Sequence, residues 1–285
     1  MRRTFRFHVI LCTAAASLTL ATAAFAADSS PDAIPPLAFM NGGWRTTPLF
    51  LAPPSGPGPV LDMPGRPRVA NNLRLGQPVF PMADLNNPIL QPWAREALKK
   101  VNDHVAAGGG AFAPQVSCKL LGVPAFLLHT GRPIYFIQAA KEVVMVAPIN
   151  SEYRHVYLTD RHSVNLKPSW YGESIGHYEN GDTLVVDTVG LNDKTYVDNF
   201  RTPHTTQLHV VERYRINPDG KGMTIDVTVE DPGAFTTPWN AVVRAQREEE
   251  DPRNPPMREE SCAENPVNHL HEDREPVPQA DKADF

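Results

Sequence analysis

Gly172-Glu-Ser174-Ile-Gly176 is a G-x-S-x-G string, the pattern that holds an exposed nucleophilic serine when it lies between a strand and a helix. Acid and base partners follow in the order such a site uses, Asp187 or Asp198 and then His204 or His209. The residues after Gly176 do not read as a helix, however. Asn180-Gly181 stands between an alternating segment and the β-branched run Thr183-Leu-Val-Val-Asp-Thr188, the signal of a tight hairpin. An elbow serine takes part of its oxyanion stabilisation from the helix that follows it. The spacing therefore favours a glycine-bent strand at a barrel corner over a nucleophile.

A second carboxylate stands out by its face. Leu208, Val210, Tyr214 and Ile216 alternate onto one side of a strand, and the residue completing that side is Glu212. An inward carboxylate must either be paired or have its pKa raised, and a raised pKa is what a general acid or base near neutral pH needs. The alternative is a buried ion pair with Arg154 or Arg161 that fixes strand register; Arg213, on the opposite face, is expected in solvent.

His204, after Pro203 in the loop before that strand, suits proton exchange at a barrel mouth, or a plain surface position. Asp160, Arg161 and His162 form a polar cluster where the third strand ends, with His177 and Tyr178 as possible neighbours. The guanidinium forks of Arg154 and Arg161 suit a planar anion. The candidate catalytic set is Glu212, His204 and Arg161, with Arg154, Asp160, Trp170, Tyr178 and Tyr214 as ligand contacts. Trp170, Tyr171, Tyr178, Tyr214, Phe235 and Trp239 either pack the core or line a pocket for an apolar or aromatic ligand.

These residues need a scaffold, and turn signals supply it. Ile134 to Gln138, Val143 to Ala147 and Arg154 to Thr159 read as three strands, and the Asn180-Gly181 hairpin adds two. Thr206 to Ile216 and Met223 to Glu230 flank Asn217-Pro-Asp-Gly220, and Pro238 to Ala245 makes an eighth. Met223, Ile225, Val227 and Val229 alternate with Thr224, Asp226, Thr228 and Glu230, so one face is dry. The expectation is a mainly β fold, an antiparallel meander closing into a lipocalin-like barrel of about eight strands. One N-terminal helix is expected over 89–107, with Trp93, Ala97, Val101 and Val105 at helical spacing and Gly108 past its end.

The expected organisation is a signal peptide (1–26), a Pro/Gly-rich arm (27–88), the helix and a linker (89–131), the barrel (132–247) and an extended charged tail (248–285). Arg2, Arg3 and Arg6 precede an apolar stretch that ends at Ala24-Phe25-Ala26, an export signal with a small-residue cleavage site. Cys12 lies in the segment removed. The chain has 27 basic and 32 acidic residues; losing three arginines and no acid moves its formal charge from −5 to −8. Such a surface excludes nucleic acid as a natural partner, and no further apolar run is long enough to span a bilayer. The mature protein is expected in a periplasm, or secreted. Cys118 and Cys262 are expected to pair as a disulfide there, or to remain buried thiols. His269-Leu-His271-Glu-Asp273 resembles a metal cluster, but its charged, Pro-rich setting favours solvated side chains. No phosphate loop or dinucleotide fingerprint occurs, so no cofactor is expected.

Several strings carry a resemblance. They are Pro92-Trp-Ala94, Cys118 with Gly122-Val-Pro124, Trp170-x-Gly-x-Ser-x-Gly-x-Tyr178-Glu, Gly181-Asp-Thr-Leu-Val-Val-Asp-Thr188, Pro203-His204, Glu212-Arg213, Asp231-Pro-x-Ala-Phe235 with Pro238-Trp239, and Cys262-x-Glu264-Asn265. Together they resemble a largely uncharacterised family of exported bacterial proteins, over about Pro92 to Asn265. The resemblance implies secretion and a shared β-rich domain, and no particular reaction. The family tends to carry a glycine before the arginine of Asp160-Arg-His162, and its Trp-Glu-Gly corner is one residue shorter than Tyr178-Glu-Asn-Gly. The functional expectation is a small-molecule-binding barrel, acting as a cofactor-free isomerase, lyase or hydrolase. A non-catalytic ligand carrier or a structural envelope protein are the alternatives.

Overall fold

The computed structural model describes residues 34–38, 42–65, 81–108, 119–128, 133–148 and 151–249. The segment read as a signal peptide, Cys118, Cys262 and the His269 to Asp273 cluster lie outside the described residues. Nine strands form a single sheet: β1 Gly42–Thr46, β2 Tyr135–Gln138, β3 Glu142–Ala147, β4 Glu152–Tyr157, β5 Glu173–Glu179, β6 Thr183–Val189, β7 His209–Ile216, β8 Gly222–Glu230 and β9 Trp239–Glu249. Their order is β1-β9-β8-β7-β6-β5-β4-β3-β2. Trp44 of β1 and Ile134, just before β2, exchange backbone bonds of 2.8 and 2.9 Å, which brings the two edges together into a barrel. Closure removes the exposed edges that an open sheet would present.

The expected barrel is therefore present, with two differences from a simple antiparallel meander. The ninth strand, β1, comes from the stretch read as an irregular arm and pairs with β9 from Gly42↔Glu249 to Thr46↔Ala245. Gly-Gly-Trp-Arg-Thr has no alternation to announce it. Strands β4 and β5 run parallel through Val156↔Ser174 and Tyr157↔Ile175 alone, because the long loop between them crosses over instead of turning back.

The sequence signals explain the remaining pairings. Asn180 and Gly181 adopt φ of 54° and 71°, the left-handed geometry of a tight turn whose twist matches its flanking strands. From it β5 and β6 pair along Glu173↔Val189 to Glu179↔Thr183. Met223, Ile225, Val227 and Val229 all face the core, as their alternation requires.

Helix α1, Pro92–Ala106, starts at a proline that needs no amide partner there. Its buried stripe is Ala94, Leu98, Asn102 and Val105, one step round from the expected Trp93 line. Trp93 lies outside, giving its indole N–H to the Gly233 carbonyl at 2.7 Å. Asn102 is buried because both ends of its amide pair with the backbone of Ala83, at 2.9 and 2.8 Å, tying the arm to the helix. Among the described residues no helix is long and apolar enough to cross a membrane.

Candidate functional site

Inside the barrel, four adjacent strands bring five polar side chains to one point. Arg154 of β4 points inward because it alternates with the outward Tyr153 and His155. Its Nη1 donates to Glu212 Oε1 at 3.1 Å and its Nη2 to Oε2 at 2.5 Å, a bidentate pair reaching from β4 to β7. Arg154 Nη2 also reaches Thr188 Oγ1 at 2.8 Å and its Nε reaches Ser174 Oγ at 3.1 Å. Tyr214 donates its hydroxyl to Glu212 Oε1 at 3.1 Å and meets Phe136 edge-on. The side chains of Arg154 and Glu212 have 0% accessible surface.

The electrostatics follow the geometry. Burial pulls the Arg154 pKa down most strongly, but the charge of Glu212, its hydrogen bonds and the neighbouring Tyr214 together outweigh it and hold the guanidinium above its ordinary value. Burial, with Glu212 beside it, pushes the Tyr214 phenol well up. Ser174 is 2% exposed, and its hydroxyl is taken up by Arg154 and by Thr188 at 2.9 Å. Gly172 has φ +60°, and a Cβ there would lie 2.3 Å from the Val189 carbonyl oxygen. The G-x-S-x-G string thus serves close strand approach and a hydroxyl for a buried arginine; it is followed by a strand, with no helix N-terminus at the serine.

The other predicted residues scatter. His204 is buried in the loop before β7; its Nδ1–H goes to the Thr205 carbonyl at 3.0 Å, so Nε2 accepts from Thr195 at 2.8 Å. Burial pushes its pKa down, toward neutral imidazole. Asp231 takes the Thr205 amide and hydroxyl at 2.6 and 2.7 Å and fixes the same loop. Asp160 and Arg161 are exposed after β4, apart from the interior cluster, and Trp170 is half-buried. Tyr178 accepts from Gln138 Nε2 at 3.2 Å, and Arg213 pairs with Glu179 outside the barrel at 2.5 Å.

A second arrangement lies on the outer face. Asp187 of β6 points outward, and its Oδ1 meets His162 Nε2 at 3.0 Å and His209 Nε2 at 3.2 Å. The far nitrogens carry carboxylates too: His162 Nδ1 is 3.2 Å from Glu173 and His209 Nδ1 is 3.3 Å from Glu230. Glu173, Asp187, His209 and Glu230 stand on four successive strands, β5 to β8, with His162 laid over them from the loop. Burial opposes ionisation of Glu173, but hydrogen bonds from Ser163 and His162 hold its carboxyl below the ordinary range. Unlike the interior cluster, this row is open: the His209 side chain is 32% exposed and that of Asp187 40%.

His209 and Glu230 also line a groove of about 420 Å³, together with Gln207, Pro232, Thr236 and Thr237. Asp187 and His209 were legible as an acid and base in hydrolase order, and His162 as a rim residue. Their convergence was not, because it depends on the register of β5, β6 and β7. Among the described residues no group of three His, Cys, Asp or Glu side chains converges as a metal site. No family model, curated protein or solved structure matches this chain.

Proposed function

We propose that this is an exported small-molecule-binding β-barrel that performs cofactor-free proton transfer, and that the transfer occurs in the outer groove at His209. The observation that carries this reading is the clamping of the His209 ring between Asp187 and Glu230 while its edge borders the groove. Asp187 accepts from Nε2–H and fixes the ring, and Nδ1 is the nitrogen that exchanges a proton with a bound molecule once that molecule displaces Glu230 from its 3.3 Å contact. Asp187 is the positioning residue, and Glu230 is the carboxylate the bound molecule displaces. His162 Nε2 meets the same oxygen, Asp187 Oδ1.

On this reading the Arg154–Glu212 pair is the scaffold's internal brace, and Glu212 takes no part in the chemistry. The groove lining contains no Lys or Arg among the described residues, so its substrate is a neutral or cationic molecule with apolar parts suited to Pro232 and Pro238. Export rests on the basic and apolar residues preceding Ala26.

The test uses 5-nitrobenzisoxazole, an aromatic probe whose ring opening requires only a positioned base. Wild-type protein is expected to open it faster than the same protein unfolded, and His209→Gln to lose that advantage. Equal rates in the two folded proteins, or no rate above the unfolded control, contradict the reading.

A further inference from the structure

The groove beside His209 does not end at Thr237. Thr236 and Thr237 also line a second depression of about 520 Å³, together with Pro53, Pro57, Leu61, Asp84 and Asn86. The two threonines line both depressions and so form the junction, or saddle, between them; each depression falls within the size range of small-molecule sites. Backbone bonds fix both sides of this saddle. The Thr236 amide donates to the Ile89 carbonyl at 2.7 Å, and the Asn240 amide holds the Pro57 carbonyl at 3.0 Å. Asn87 Nδ2 holds the Pro59 carbonyl at 2.9 Å. The walls are tied to one another before any ligand arrives, so little ordering cost attends binding.

The chemistry of the lining is uniform along its length. Neither depression is lined by a Lys or Arg among the described residues, which removes the partners that phosphates and carboxylates require. Asn86, Gln207, Thr237 and Glu230 instead offer amide and hydroxyl donors beside amide, hydroxyl and carboxylate acceptors. Hydroxyl groups, which both donate and accept, fit such a mixture, and the proline rings present C–H surfaces to a sugar ring. We propose that the two depressions are one trough for an uncharged, polyhydroxylated chain, an oligosaccharide lying across Thr236 and Thr237 with one end at His209. This extends the reading of the groove as a ligand site and rests on it.

Cellohexaose, maltohexaose and chitohexaose, each with its disaccharide, are the probes, with a proline-rich decapeptide as the competing class. Calorimetric titration should show at least one hexaose binding about tenfold or more tightly than its disaccharide, since occupying the second depression becomes intramolecular. Amide resonance shifts should appear on both sides of the saddle, at Asn86 and at Gln207. Asn86 is exposed and lines only the second depression, so Asn86→Trp obstructs that end of the trough without entering the core; it is expected to remove the length advantage and spare the disaccharide. A hexaose no tighter than its disaccharide, with shifts confined to Gln207 and His209, overturns the trough and leaves the groove reading standing. Absence of any saccharide binding, or capture of the decapeptide instead, overturns the proposal. Saccharide binding without benzisoxazole turnover supports the trough while contradicting proton transfer.

Discussion

Arg154 holds Glu212 by two parallel contacts across two intervening strands, with both side chains entirely out of solvent. Removing one partner leaves the other's charge buried without its counterion. Glu212→Ala is therefore expected to destabilise the fold by about 3 to 5 kcal/mol in urea titration. Replacing both, as Arg154→Met with Glu212→Leu, should cost clearly less than the single change, because the desolvation of two charges disappears along with their attraction. A single variant as stable as wild type would show that the pair is not a brace.

Asp198 gives the protein a pH dependence of its own. It is buried in the loop before β7, and burial pushes its pKa up to about 6 although Thr202 and Phe200 donate to it. Between about pH 4 and that value the folded state holds a proton the unfolded chain has released, so this group's contribution to stability falls as pH rises through the window. Asp198→Asn, neutral throughout, is expected to be more stable than wild type above the window, by up to about 3 kcal/mol, with the advantage shrinking toward pH 4. Denaturant titrations from about pH 4.5 to 8 check this; a constant difference across the range contradicts it.

Gly172 and Gly220 share a left-handed backbone but not their surroundings. A Cβ on Gly172 would meet the Val189 carbonyl, whereas one on Gly220, in the β7–β8 turn, would meet nothing within 4 Å. Gly220→Ala should cost about 1 to 2 kcal/mol for the conformation alone, and Gly172→Ala distinctly more, because β5 and β6 must also part. Equal losses would mean that close approach is not why the string contains glycine.

Much of this was legible in the sequence where local chemistry decides the outcome. Asn180-Gly181 and Asp219-Gly220 announce their turns, the Met223 to Val229 alternation orients β8, and the face of Glu212 is readable from its neighbours. Strand β1 was not legible, because five residues in a proline-rich arm carry no period; their place is imposed by the backbone ladder with β9 and by the Trp44–Ile134 junction. The exterior row was legible only in part. Glu230 reads as an outward residue, Asp187 and His209 as an acid and base in hydrolase order, and nothing marks Glu173; only sheet register, with the loop carrying His162, assembles them.

Ser174 is expected to stay unlabelled by a fluorophosphonate probe in the folded protein, since its hydroxyl is buried against Arg154. Ser174→Ala should lower stability by about 1 to 3 kcal/mol, the range for leaving a buried donor short of a partner. Rapid active-site labelling would restore the nucleophile.

Among the described residues, the His209 row lies on the outer face where solvent reaches it, and the Arg154–Glu212 pair inside the barrel is closed to solvent. Native-state labelling of carboxyl groups with a water-soluble carbodiimide and glycine ethyl ester, mapped by mass spectrometry, tests it most directly. Asp187 and Glu230 are expected to be modified while Glu212 remains unmodified until the protein unfolds. Modification of Glu212 in the folded protein, at a rate comparable with Glu230, would contradict the account.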